Sequence, residues 1–313
     1  MAYRFEKQET VEAGIRRIAG EEIDAVITVI DDNTVTEEET VHEARKRCKE
    51  LRGLVRLVRP AMEETYRFEN GFFRDEARRL SHLRDAEVII QAFDTIASSL
   101  SSPGVIRDRL EQQKKAIEQD DTSPQKKLAQ FRQNMAEARE RVEKWRLDDN
   151  SVAAVLSGLE KTYRRGRKAM AVAGEKRSDE ALHEWRKRVK YHWYHLCLLV
   201  PVWEPVLEAL QNEAHHLSDL LGDDHDLAVL SDSIREMNRN PSPDNQPADE
   251  LPNDSSNDKQ LTQAKKEADS LIKTKRETLQ KEAFQLGARI FAEKPKQLSS
   301  RIEKYWTAWR HEL

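Results

Sequence analysis

Glycine and proline are scarce in this chain, ten of each in 313 residues, and there are only two cysteines. Cys48 and Cys197 both fall in helical stretches, which excludes a disulfide framework and reads as reduced, packed thiols of a cytosolic protein. There is no Gly-x-x-x-x-Gly-Lys, no Gly-x-Ser-x-Gly and no other glycine-rich cradle, which weighs against a phosphate-cleaving or serine-nucleophile enzyme. No apolar run approaches the ~20 residues of a membrane span, and the first residues lack the apolar core of a signal peptide. Aromatic residues make up 6%, and the β-branched runs that a sheet protein needs are missing.

Charge is what the chain has in quantity: 35% of its residues are Asp, Glu, Lys or Arg, and mean hydropathy is −0.82. That composition favours amphipathic helices with long charged faces, hence an all-α fold. The net charge of −4 argues at first against an anion-binding protein, but its distribution is uneven. Residues 41–60 carry cations at 45, 46, 47, 49, 52, 56 and 59 against only Glu43 and Glu50, whereas 239–258 holds acids and prolines. Local potential, not the sum, governs anion capture.

The cations recur. His42-Glu43-Ala44-Arg45-Lys46-Arg47-Cys48-Lys49 and His183-Glu184-Trp185-Arg186-Lys187-Arg188-Val189-Lys190 both read His-Glu-x-Arg-Lys-Arg-x-Lys, and Pro60 and Pro201 follow at the same distance, 141 residues apart like the motifs. At ~100° per residue, His42, Arg45, Lys46, Lys49, Arg52 and Arg56 share an arc of roughly 120°, with Leu51, Leu54, Val55 and Val58 opposite. The stripe runs ~21 Å at 1.5 Å per residue. His183, Arg186, Lys187 and Lys190 form the matching arc, but Trp193 and Cys197 stand where Arg52 and Arg56 would be. Like charges at i, i+4 repel, and a row of phosphates would offset that repulsion through arginine forks and lysine point charges. One such stripe could be ordinary solvated surface; a second at matching positions weighs against that.

The helical reading runs 8–30, then a second helix capped near Thr36 and ended at Pro60, a break at Asn70-Gly71, a third helix from about 72 to 99, and a hairpin of 105–119 and 125–147. The second half reads as helices near 150–173, 178–200, 205–238, 260–293 and 296–312, with a polar, proline-rich loop at 239–258. The stretch 75–83 is similar to 212–220, and Arg84-Asp85 to His225-Asp226. Together these indicate a duplication, 1–148 and 149–313, of an antiparallel helical unit.

The paired motif, each copy followed by Leu-Ser-x-Leu (80–83 and 217–220) and an Arg-Asp or His-Asp pair, resembles the CHAD family, the conserved histidine α-helical domain, in standalone form. The resemblance implies two four-helix bundles related by pseudo-twofold symmetry around a basic groove or pore that binds inorganic polyphosphate without catalysis. It assigns binding to His42, Arg45, Lys46, Lys49, Arg52 and Arg56, and to His183, Arg186, Lys187 and Lys190, and it extends to polyphosphate granules in the cytoplasm as a partner. Substitution of Trp193 and Cys197 in the second stripe weights binding to the first.

Secondary candidates are Arg74 and Arg78 at i, i+4, Arg84 beside Asp85, and Lys161, Arg164, Arg167 and Lys168 on the helix before the second stripe. A nucleic-acid binder would interleave aromatics with the cations, and the first stripe has none; a metal-dependent phosphohydrolase would need converging ligands. His192 and His195, His215-His216 and Asp223-Asp224-His225-Asp226 match no metal motif, so no metal or cofactor is expected. His42 and His183 head the two stripes, as hydrogen-bond donors to a phosphate or as residues that hold the helix start.

Overall fold

The computed structural model describes residues 3–80, 82–120, 124–237 and 255–311, with side chains left out for 82–85, 117–120, 124 and 255–258. Among the described residues there are eleven α-helices and no strand. The first half holds α1 (Val11–Asp31), α2 (Glu37–Leu57), α3 (Glu63–Arg79), α4 (His82–Ala97), α5 (Pro103–Asp120) and α6 (Pro124–Val142). The second holds α7 (Val152–Lys176), α8 (Asp179–Leu199), α9 (Glu204–Glu236), α10 (Ser255–Ile290) and α11 (Pro295–His311). Residues 239–254 of the expected loop lie outside the described residues, while 255–258 begin α10.

The repeat is visible in the elements. α1 and α7 start at 11 and 152, the 3-10 turns after α2 and α8 at 59 and 200, and α3 and α9 at 63 and 204, each pair 141 residues apart. α2 and α8 are both 21 residues long, and each is followed by a turn with proline at its start. Local chemistry sets the starts. Thr10, Thr36, Ser151 and Ser178 each accept a backbone N–H of the first turn, the donors a helix cannot satisfy within itself. At α2 the cap is reciprocal: Glu39 N donates to Thr36 Oγ1, and Thr36 N to Glu39 Oε2, both at 3.2 Å.

Two sequence expectations fail. Asn70-Gly71 is not a break but lies inside α3, which stops at Arg79, and the third helix expected at about 72–99 is divided between α3 and α4. A glycine costs a helix about 1 kcal/mol, and the burial of Glu69, Phe73 and Glu76 on either side outweighs it. α5 and α6 flank the short segment expected as their turn, but they belong to different compact units. α6 packs on α1, with Arg132 holding Asp31 (2.6 and 2.7 Å) and Arg139 holding Asp24 (3.1 Å); α5 sends Ile106 and Leu110 into a different core.

The chain forms two compact units, and neither is a sequence half. The first comprises residues 1–84, 122–219 and 283–313, and the second 85–121 and 220–282. The second unit takes α4 and α5 from one half and the later part of α9 with most of α10 from the other. It encloses Phe93, Ile96, Ile106, Leu230, Ile234 and Ile272, each such side chain contributing roughly 1.5–3 kcal/mol on burial. Asp224, 2% exposed, is held there by Arg276 and Gln280, both at 2.9 Å.

The first unit buries Ile15, Ile18 and Ile23 of α1, Leu51, Leu54 and Val55 of α2, Val155 and Leu159 of α7, and Trp185 and Val189 of α8. α11 packs on α7 as α6 packs on α1. Two glycines bring α2 against its neighbours. A Cβ on Gly158 of α7 would lie 1.6 Å from the Leu57 carbonyl oxygen, and one on Gly53 would lie 2.8 Å from Cβ of Tyr194. Only bare backbone permits these approaches. Gly53 O also meets His195 Nε2 at 3.1 Å. α2 therefore crosses α8 between Arg52 and Arg56 of the first stripe and just past Lys190 of the second.

Candidate functional site

Lys49 is where the two stripes meet. Burial first, and then the positive charges of Lys190, Arg45 and Arg186, push its ammonium down to about 7. Lys49 and Lys190 are repeat counterparts, and so are Gly53 and Tyr194, which touch at the crossing. Nε of Arg186 is buried without a hydrogen-bond partner. From Arg45 the α2 row continues through Arg52 and Arg56, at i+7 and i+11.

The far end of the row is held by contacts with α3 and α8. Asn70 Oδ1 of α3 accepts from Arg56 and, at 3.4 Å, from Arg52. The Arg56 guanidinium lies 4.1 Å from the Tyr191 ring centre and 5.9 Å from that of Tyr66, and Arg52 lies 5.9 Å from Tyr191. Burial holds Arg56 below the ordinary arginine range, with Tyr191 and Tyr66 opposing. Arg59, just beyond α2, is 4% exposed; its Nε and Nη2 have no hydrogen-bond partner, and burial, then Arg165, pushes it down to about 10. A buried, incompletely bonded guanidinium is costly unless an anion meets it.

A family model for the CHAD domain matches residues 17–235. The chain belongs to the CHAD domain family. The matched span takes in both His-Glu-x-Arg-Lys-Arg-x-Lys segments and ends before α10 and α11. No curated protein matches the chain.

The CHAD motif is divided in its roles. In both copies its glutamate reaches forward along its own helix: Glu43 to Lys46 (3.3 Å) and Arg47 (3.5 Å), and Glu184 to Lys187 (3.0 Å) and Arg188. Lys46 and Lys187 thus carry their own counter-charges, and Lys46 stands at the edge of the arc. Arg47 turns away to Glu22 (2.7 Å) and Glu50 (3.6 Å), a buried pair in which desolvation and Glu22 raise Glu50 to about 8. His42 is exposed and His183 half-buried, one at the head of each stripe.

The second stripe gives up its lower part to packing. Lys190 Nζ lies 5.7 Å from the Trp193 ring, which rests on His215 at 4.4 Å. Both thiols are free, and burial pushes each up to about 12. His192 packs on Tyr163 and Phe291, and burial lowers it to about 4. Among the described residues no helix is long and apolar enough to cross a membrane, and no three His, Cys, Asp or Glu converge as a metal would require.

The secondary candidates separate. Arg74 is paired with Asp75 at 2.8 and 3.0 Å, Arg78 is exposed, and the Arg84 side chain lies outside the described residues. On α7, Arg164 pairs with Glu160, and Arg167 sits beside Tyr163. Lys161 faces Arg59 and Arg165, and Lys168 lines a cleft with Arg165 and Arg188. Sequence reasoning missed Arg59, Arg165, Arg188, Asn70, Tyr66 and Tyr191. The i, i+4, i+7 spacing of Lys161, Arg165 and Lys168 was a usable signal; the others needed the fold.

Proposed function

We propose that this CHAD domain is a non-catalytic module that binds inorganic polyphosphate along the cation row where α2 and α8 cross. The carrying observation is Lys49: the strongest charges acting on it, Lys190, Arg45 and Arg186, are cations drawn from two helices. A pre-ordered set of like charges binds a chain of phosphates avidly, because each phosphate added relieves repulsion already built in. The family, linked to polyphosphate binding, supports the same ligand. The meeting of counterparts, Lys49 with Lys190 and Gly53 with Tyr194, supports a pseudo-twofold relation of the two repeats at this crossing, as in any isologous contact. A cytoplasmic protein that follows polyphosphate into granules fits this reading.

Tyr66 and Tyr191 do stand among the cations, as a nucleic-acid binder would need, but Arg56 stacks on Tyr191 and takes the place of a base. Parallel calorimetric titrations with long-chain polyphosphate, pyrophosphate, ATP and RNA test the proposal. Polyphosphate should bind tightest, with affinity falling steeply as salt rises. Tight polyphosphate binding by a folded Arg45→Glu/Lys49→Glu variant would sink the reading. RNA displacing polyphosphate at equal phosphate concentration would favour nucleic acid, and phosphate release during incubation would favour a hydrolase.

A further inference from the structure

The row on α2 does not stop at Arg56. Arg59 carries it past the end of the helix, and its charge acts with those of Arg165 and Lys161 of α7. Arg165 also borders an open cleft of about 330 Å³ between α7 and α8, lined by Arg165, Lys168, Ala169, Val172, Ala181, Glu184 and Arg188. The single acid there, Glu184, already pairs with Lys187 and Arg188. Arg188 in turn acts on Arg56, so the cleft adjoins the row at two points.

The repeat does not reproduce this cleft. Where α7 has Lys161, Arg165 and Lys168, α1 has Gly20, Asp24 and Ile27; where α2 is followed by Arg59, α8 is followed by Val200. The counterpart of Arg188 is Arg47, which Glu22, Glu43 and Glu50 surround. The cation row therefore has one special end. An end group has a chemistry of its own: a terminal phosphate, like a phosphate monoester, carries close to two negative charges at neutral pH, more than a phosphate inside a chain. An open cationic cleft beside a buried arginine with two unpartnered nitrogens fits such a group.

We propose that the α7–α8 cleft is a phosphoryl end-group subsite, taking the terminal phosphate of a polyphosphate chain or a free pyrophosphate, with Arg165 and Lys168 as its accessible cations. The terminal-phosphate part rests on the polyphosphate reading above; the pyrophosphate part does not. The test compares polyphosphate of one length with free ends and with both ends capped as alkyl phosphoramidates. Capping should weaken binding to the wild type about fivefold, and the ratio should fall to one in Arg165→Ala/Lys168→Ala, whose replaced side chains are exposed. Equal binding of free and capped chains by the wild type overturns the end-group assignment while leaving the row intact. If neither chain binds, the row reading fails, and pyrophosphate decides the cleft. Pyrophosphate bound one-to-one by the wild type and by Arg45→Glu/Lys49→Glu, but lost in Arg165→Ala/Lys168→Ala, supports it. No pyrophosphate binding, or binding that the double alanine variant keeps, overturns it.

Discussion

α2 and α8 are the same helix written twice and put to different uses. They match in length, in motif, in the forward-reaching glutamate and in the proline turn that follows. They part in the lower half, where α2 has Arg52, Arg56 and then Arg59 against Trp193, Cys197 and Val200. The supports nevertheless stay in register. Asn70 reaches Arg56, and Gln211, its counterpart, hydrogen-bonds Cys197. What α8 lost in charge it returns in packing, since its Tyr191 stacks on Arg56 of α2. Duplication kept the scaffold and freed one copy to hold the other's arginines in place.

The largest expected difference between the copies is in ligand affinity. Arg45→Glu/Lys49→Glu should weaken polyphosphate binding ~100-fold, and Arg186→Glu/Lys190→Glu ~10-fold, or about 2.7 against 1.4 kcal/mol. Equal losses in titration would break the asymmetry. Gly158→Ala strikes the end of α2 alone, because a methyl 1.6 Å from Leu57 O must push two backbones apart. A loss of about 2 kcal/mol in denaturant unfolding is expected.

Within α2, Lys49→Ala should cost about tenfold in affinity and Lys46→Ala less than twofold, because Lys46 is already paired with Glu43. Comparable losses would mean that the whole arc binds. Lys49 also predicts a pH effect. Its pKa of about 7 lies below the ordinary 10.5, so the folded protein holds fewer protons than the unfolded chain between those values, and stability rises with pH across that window. Binding runs the other way, because phosphates favour the charged ammonium. Affinity should fall up to tenfold from pH 6.5 to 8.5, with proton uptake seen by calorimetry in two buffers, and Lys49→Arg should abolish the dependence. The smallest effects are at the caps. Thr36→Ala should cost ~1 kcal/mol and Ser178→Ala somewhat less, since only Thr36 belongs to a reciprocal capping box, as thermal unfolding would register.

The sequence makes α2 legible in detail, from Thr36 to the proline turn, because caps, periodicity and stops act within a few residues. It misleads at Asn70-Gly71, where a local breaker is overruled by burial of Phe73 and Glu76 from elsewhere in the fold. At Lys46 the position on the arc is as read, and Glu43, one turn back on the same helix, pairs with it at 3.3 Å. Arg59 escapes because the cations it meets, Arg165 and Lys161, lie in a separate element about a hundred residues on, although the spacing of Lys161, Arg165 and Lys168 along α7 was itself readable.

Fold class, the duplication and the two charge stripes follow from the order of residues alone, because helix periodicity and like-charge spacing are properties of neighbours along the chain. Which cations share a site was settled by packing. Lys49 meets Lys190 only because Gly53 lets α2 lie against Tyr194, and Arg59 meets Arg165 beside the approach that Gly158 allows. Contact between helices depends on backbone distance, and no stretch of sequence carries that distance by itself.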